Sequence, residues 1–348
     1  RIKWLEYTGK IPPGYEWYRN NGLKDEFNVY GKVNTAVSGR LNAFLDLQLR
    51  HISYRFEGPD DDMKDLSGSH RFTFFNPKTG LFWSNGNGSE AFISAAVAHR
   101  EPTRSDFKEA AGDIDATPRR ERLTDFEGGY TFRNSRAALG VNLYYMQYHD
   151  QLVPTGKIST TGYPIMTNVP ESFRTGVELS GSFRPSPLAA MKMNLTLSRS
   201  SIRNFRNYYF NYNTDDWSEE YVFSDLGTVD IAYSPCVTGS AELEVNPIER
   251  LSLRLTGKYV GKQYFDNTMN PDRSLDPYFF SSLSAAYGFA LKKAGELTFR
   301  FMVNNLFNAQ YENNAYGGMW TEDGIGKTWA YFFPQAGINY TAGISLSF

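Results

Sequence analysis

Apolar and polar residues alternate with a period of two over segments longer than the strands of soluble sheets. This pattern limits what the chain can fold into. It is clearest in the last eleven residues, Ile338–Phe348. Tyr340, Ala342, Ile344, Leu346 and Phe348 fall on one face, and Thr341, Gly343, Ser345 and Ser347 on the other. Leu251, Leu253 and Leu255 likewise oppose Ser252, Arg254 and Thr256. Val177, Leu179 and Phe183 oppose Glu178, Ser180 and Ser182, and Leu139, Val141, Leu143 and Tyr145 oppose Gly140, Asn142 and Tyr144. The side carrying Glu178 and Arg254 must face water, because a charge at the middle of a bilayer costs ~2–4 kcal/mol. The other side is apolar enough to face lipid.

Thirteen segments read as strands: 26–37, 41–57, 70–84, 89–100, 122–133, 136–153, 172–184, 188–204, 227–245, 250–266, 277–291, 296–312 and 337–348. Their connections alternate between short and long. Ser38-Gly39-Arg40, Asn85–Gly88, Arg133-Asn134-Ser135, Pro185-Ser186-Pro187, Asn246–Glu249 and Lys292–Gly295 are turn sequences. Polar stretches near 58–69, 101–121, 154–171, 205–226, 267–276 and 313–336 separate them. No run of about 18 apolar residues is present, which leaves no transmembrane helix, yet 16% of the residues are aromatic. An apolar outer face, a polar lumen and aromatic rims account for both facts. The fold class is therefore all-β: an antiparallel up-and-down transmembrane barrel of the bacterial outer-membrane type. Its short turns are periplasmic and its long loops external, with Phe348 on the periplasmic side. A soluble β-sandwich explains neither the strand lengths nor the aromatic load.

An odd number of strands does not close an ordinary single-chain bacterial barrel, and an open sheet in lipid leaves unpaired edges. The expectation is that residues 1–348 are the C-terminal portion of a longer barrel. Residues 1–25 would then be the end of a preceding strand and an external loop. The 36 basic and 38 acidic residues leave a net charge of -2, without the basic stripe of a nucleic-acid partner. One cysteine, Cys236, excludes an intrachain disulfide.

Several segments carry a resemblance. They are Phe75-Asn76-Pro77-Lys78-Thr79-Gly80, His99–Phe107, Glu127-Gly128-Gly129-Tyr130, Val303–Asn308 with Tyr311, and Tyr340-Thr341-Ala342-Gly343 with terminal Phe348. In this order and spacing they resemble the C-terminal barrel half of TonB-dependent outer-membrane receptors, most like those of the Bacteroidetes. The resemblance implies a roughly 22-stranded barrel with a plugged lumen. It implies outer-membrane lipid around the barrel, external loops that capture a scarce bulky ligand, and energy relayed by the TonB protein through the plug. Neither a plug nor a TonB-contacting box is recognisable here, so both, and the first half of the barrel, are expected outside this sequence. A surface lipoprotein is a further expected partner. The ligand class implied is an iron–siderophore complex or a similar cargo such as cobalamin or haem, and no enzymatic role or cofactor is expected. A passive or enzymatic barrel (porin, adhesin or lipase-like) is the alternative.

Candidate ligand residues lie in the long connections. Tyr208, Tyr209, Tyr212 and Trp217 offer flat amphipathic surfaces that bind at low entropic cost, or else form a rim girdle. Tyr316 and Trp320 flank Gly317-Gly318, where unusual backbone angles are permitted. The run Tyr331–Phe333 reads as an aromatic belt. Arg104, at a strand end, either steers an anionic cargo or pairs with Glu101, Asp106 or an acidic plug residue. Asp60, Asp61, Asp62 and Asp65 read as a solvated acidic tip rather than a calcium loop. The histidines are scattered, and no nucleophile elbow, phosphate loop or zincin motif is present.

Overall fold

A computed structural model describes residues 2–3, 14–111, 113, 116–159, 162–291 and 295–348. Sixteen strands form one large sheet. The first eight are β1 (Asn21–Ser38), β2 (Leu41–Glu57), β3 (Gly68–Ser84), β4 (Ser89–Arg100), β5 (Glu121–Arg133), β6 (Ala137–Ile158), β7 (Pro164–Ser186) and β8 (Ala189–Tyr212). The rest are β9 (Glu219–Asp230), β10 (Val237–Ile248), β11 (Leu251–Val260), β12 (Tyr278–Leu291), β13 (Gly295–Asn304), β14 (Glu312–Glu322), β15 (Ile325–Pro334) and β16 (Asn339–Ser347). Thirteen of them follow one another as antiparallel neighbours, with β1 at one edge and β16 at the other. The remaining three, β9, β14 and β15, branch from β8. Among the described residues, no helix is long and apolar enough to cross a membrane; strands are another matter.

Register carries the alternation of each strand into continuous faces. Leu81 lies opposite Ile93, Ile93 opposite Gly128, Gly128 opposite Leu143, Leu143 opposite Val177, and Val177 opposite Leu197. Further along, Leu243 meets Leu255, Leu255 meets Leu283, Leu283 meets Val303, and Val303 meets Tyr340. This face is apolar and uncovered, with Ile93 60%, Leu143 54% and Ile344 68% exposed. Its extent far exceeds what a soluble monomer leaves in water. The opposite face is a polar ladder. Asn194 Nδ2 donates to Ser240 Oγ at 2.7 Å, Asn76 to Gln48 at 3.0 Å, and Arg254 meets Glu244 at 2.9 Å. A sandwich would have buried the apolar face under a second sheet; none of the described residues does so.

The buried cores lie instead at the end of the sheet that carries the long connections. Ile52, Tyr54, Phe56 and Phe74 form one cluster, with Phe107 of helix α1 (Arg104–Glu109) packed on it. Val153, Val169, Ile202, Phe205, Val229 and Ile231 form another, where β6, β7, β8 and β9 rise above the apolar band. The two ends of the strands thus obey different rules, with lipid covering one part and the protein's own side chains the other.

The short turns form where their sequences require. Asn85 Oδ1 accepts from the Asn87 and Ser89 amides at 2.7 and 3.0 Å, and Asn134 Oδ1 from Arg136 and Ala137 at 2.9 and 2.8 Å. Gly88 has φ +91°, and an added Cβ would lie 1.8 Å from the Arg133 carbonyl oxygen, so only glycine fits. Residues 292–294 of the Lys292–Gly295 turn lie outside the described residues, as does nearly all of 1–13.

Four sequence readings are corrected. Segment 227–245 is two strands: β9 ends at Asp230, β10 starts at Val237, and Tyr233 at φ +54° breaks the chain between them. Segment 296–312 ends as a strand at Asn304, because Asn305 and Asn308 both take φ +51°. Asn305 donates to the Ala309 and Ala336 carbonyls at 2.9 and 3.2 Å, and Asn308 Oδ1 accepts from Ile338 at 2.9 Å. The Asn305–Asn308 motif is therefore a corner that sets β16 against β13. Residues 101–121 contain a capped helix, with Thr103 and Asp106 bonding reciprocally. Stretches 154–171, 205–226 and 313–336 are mainly strand extensions and hairpins rather than irregular loops.

The two faces predict opposite responses to charge. Leu143→Arg should destabilise the lipid-embedded protein by ~2–4 kcal/mol, while Asn142→Arg, one residue away on the polar face, should cost far less. Urea titrations in lipid vesicles compare them; equal costs would mean the apolar face does not meet lipid.

Candidate functional site

Strand β8 is the element that builds the site. Through Leu197 it is held between β7 and β10, as a wall strand must be, and β7 stays paired with it as far as Ile202. Past these points it has left both wall neighbours, and the chain keeps extending through Phe205–Tyr212. β9 takes one edge from Ser201 to Tyr212. β14 takes the other in parallel register, Phe210 against Trp320, Asn211 against Thr321 and Tyr212 against Glu322. β15 completes the second hairpin beside β14. The segments 205–226 and 313–336 thus form one four-stranded platform. Phe, Tyr and Val alternating with polar residues is a strand signal, here carried outside the wall.

Specific bonds lock the two hairpins together. Thr321 Oγ1 donates to Asn211 Oδ1 at 2.6 Å. The Thr214 amide donates to Asp323 Oδ1 at 3.0 Å, its hydroxyl bonds the same carboxylate, and the Asp323 amide donates to the Tyr212 carbonyl at 3.0 Å. These Thr214 bonds hold the Asp323 carboxyl below the usual range. The tip of the β8–β9 hairpin closes through Asn213 and Ser218 at 3.0 Å and leaves Trp217 at φ +57°, 75% exposed. Bulky residues rarely adopt that conformation.

Between the platform and the connections beside it lies a cavity of about 810 Å³. That volume suits a bulky small molecule. Tyr208, Tyr209, Tyr212, Trp217, Tyr316 and Trp320 all line it, so six of the seven sequence-predicted residues come together. Gly317 and Gly318 line it too, without the unusual angles expected of them. Their role is close approach: a Cβ on Gly317 would lie 2.3 Å from the Trp329 carbonyl oxygen, and one on Gly318 would press the Trp329 indole. Tyr331 and Tyr316 stack at 5.4 Å across the second hairpin, so the proposed belt residues sit on β15, off the wall.

Sequence reasoning missed the polar half of the lining. Lys157 Nζ donates to Asp113 at 2.6 Å and lies 4.7 Å from the Tyr208 ring centre. Arg273 is 3% exposed, pairs with Asp266 at 2.9 Å and donates to Thr268 Oγ1 at 2.8 Å, while its Nε has no partner. Burial lowers its pKa from the usual arginine value, against the pull of Asp266 and Asp272. Tyr233, whose hydroxyl donates to Asn314 Oδ1 at 2.8 Å, and Phe265 close the floor. These residues come from connections far apart in sequence, and nothing in their local spacing announces a common site.

The seventh predicted residue, Arg104, is elsewhere. Its guanidinium meets Asp60 at 2.6 Å, and Lys108, one helical turn on, meets Asp61 at 2.7 Å. Asp60 also accepts from Asn20 Nδ2 at 3.1 Å. Burial opposes ionisation of Asp60, but the Asp61 amide and Arg104 hold its pKa below the ordinary carboxylate value. The acidic tip is thus a clasp for α1. Its partner is Asp60 rather than Glu101 or Asp106. Glu101 instead receives Lys24 at 2.9 Å and Arg50 at 3.0 Å. Among the described residues no cluster of His, Cys, Asp and Glu could hold a metal. His70 and His99 are stacked on Phe107 and Phe74.

The close approach at Gly317 can be tested. Gly317→Ala should loosen the second hairpin, with a cost of ~1–3 kcal/mol for overpacking. Gly326→Ala in the same hairpin has open space around it and should be near neutral. Limited proteolysis of the β14–β15 hairpin reads the difference; equal susceptibility would contradict the packing described.

The wall and its branch match known proteins. The chain is similar to the closed form of the ferric-catecholate import receptor Fiu from K12 E. coli, at 14% identity over 93% of this chain and 45% of that one, TM-score 0.66. It is similar to the siderophore receptor PiuA from Acinetobacter baumannii, at 13% identity over 93% and 43%, TM-score 0.70. It is also similar to the copper transporter OprC, at 15% identity over 94% and 50%, TM-score 0.69. The chain spans about half the length of these structures, and at these identities they establish the fold. No curated protein matches it. The family model for "TonB dependent receptor-like, beta-barrel" matches residues 5–306, so the chain belongs to the TonB-dependent receptor β-barrel family.

Proposed function

We propose that this chain is the cargo-capturing part of an outer-membrane import receptor energised through TonB. The six predicted aromatic residues converging on one cavity of about 810 Å³ carry this reading. The cavity lies at the end of the sheet with the long connections, which in outer-membrane barrels is the external end. The cargo is bulky and scarce, an iron–siderophore complex or a similar compound such as cobalamin or haem. The siderophore, ferric-catecholate and copper transporters among its structural neighbours support that class. The role is transport rather than catalysis.

Two further parts belong to the proposal. The sheet has unpaired edges at β1 and β16 among the described residues, and hydrogen-bonding groups cannot stay unpaired in lipid. Strands outside these 348 residues would close the barrel and place β1 and β16 within it. A plug in the lumen would contact the polar face and relay TonB. A surface lipoprotein over the external end is a compatible partner.

The test is uptake by the intact receptor. A deletion strain is grown on each candidate nutrient as sole source, and the rescuing receptor is then compared with Tyr208→Ala and Trp217→Ala. Each should lower affinity roughly 2- to 10-fold, as stacking contacts worth ~0.5–1.5 kcal/mol are lost, with surface abundance unchanged. Uptake at the parental rate by both variants would remove the cavity from the mechanism.

A further inference from the structure

The charge of the cavity and of its mouth narrows the cargo. This inference rests on the capture site proposed above. Lys157 and Arg273, the two cations of the lining, are 9% and 3% exposed. Each is already paired, with Asp113 and Asp266. Their charge is spent within the protein, and a polyanion entering beside them would be desolvated without a free counter-charge.

The mouth adds a second, independent bias. The two hairpin tips, residues 213–220 and 321–327, hold six carboxylates and one lysine. They are Asp215, Asp216, Glu219, Glu220, Glu322 and Asp323, against Lys327. The Thr214–Asp323 bonds fix these tips side by side, with Trp217 exposed among them. A negative field at the entrance repels anions and concentrates cations, and an exposed indole attracts a cation further. We infer that the site takes bulky cargo with no net negative charge, neutral or cationic, and rejects polyanionic complexes.

Three iron(III) complexes of similar size separate the cases. One is a tris-catecholate with charge 3−, one a neutral cyclic trihydroxamate, and one a linear trihydroxamate carrying a free ammonium. Quenching of tryptophan fluorescence in the intact, detergent-solubilised receptor gives each affinity. The neutral and cationic complexes should bind at least 10-fold more tightly than the trianion, and raising salt should narrow the gap by screening the tips. The combined variant Asp215→Asn, Asp216→Asn, Glu219→Gln, Glu220→Gln should narrow it at least 5-fold; an unchanged gap would overturn the role of the mouth. Tighter or equal binding of the trianion would overturn the inference and leave the capture site standing. Failure of all three to bind would overturn the iron-complex reading and this inference with it.

Discussion

Backbone hydrogen bonding in a medium without water governs this structure. Inside hydrocarbon every N–H and C=O must find a partner within the protein, so each wall strand needs a neighbour on both sides. The eleven strands between β1 and β16 have two antiparallel neighbours among the described residues. Above the apolar band the rule lapses, and the chain uses the freedom. β8 is the clearest case: the same strand pairs with β7 and β10 in the wall and with β9 and β14 beyond it. The platform is the continuation of a structural strand past the point where lipid dictates its neighbours.

That origin explains why the cavity can be built accurately from long connections. Loose loops of this length would lose much entropy on ordering around a ligand. Here the aromatic residues sit on paired strands, fastened by Thr321–Asn211 and Thr214–Asp323. The core of Val153, Val169, Ile202, Phe205, Val229 and Ile231 lies beneath them and anchors the platform to the wall. Geometry fixed before binding keeps the ordering cost low.

Much of the wall was legible in the sequence because period-two alternation is a one-dimensional signal. Segments 41–57 and 89–100 match β2 and β4 residue for residue. The terminal faces pair across β13 as the alternation implied, Ile344 with Phe299 and Leu346 with Leu297. What failed was the assignment of whatever left the wall. Phe205–Tyr212 alternates as a strand does, but its tyrosines and asparagines suit a polar loop equally well. The break at Tyr233 was hidden because β9 and β10 occupy successive parts of one edge of β8. Six of the seven candidate residues share a cavity because they lie on the two hairpins that dock on one another. Lys157, Tyr233, Phe265 and Arg273 were invisible because their meeting depends on long-range packing. For Arg104 the ion pair is with Asp60, 44 residues away, which spacing along the chain does not reveal.

The central claim is that the two hairpins dock edge to edge and so create the cavity. Asn211 and Thr321 are register partners whose side chains touch, so cysteines at both positions meet the distance a disulfide needs. The most direct measurement is oxidation of the intact receptor on cells carrying Asn211→Cys and Thr321→Cys, with Cys236→Ser to remove the exposed native thiol. The account predicts a disulfide that forms without added oxidant and is reversed by reductant. No cross-link, from a receptor whose single-cysteine forms both label at the surface, would contradict it.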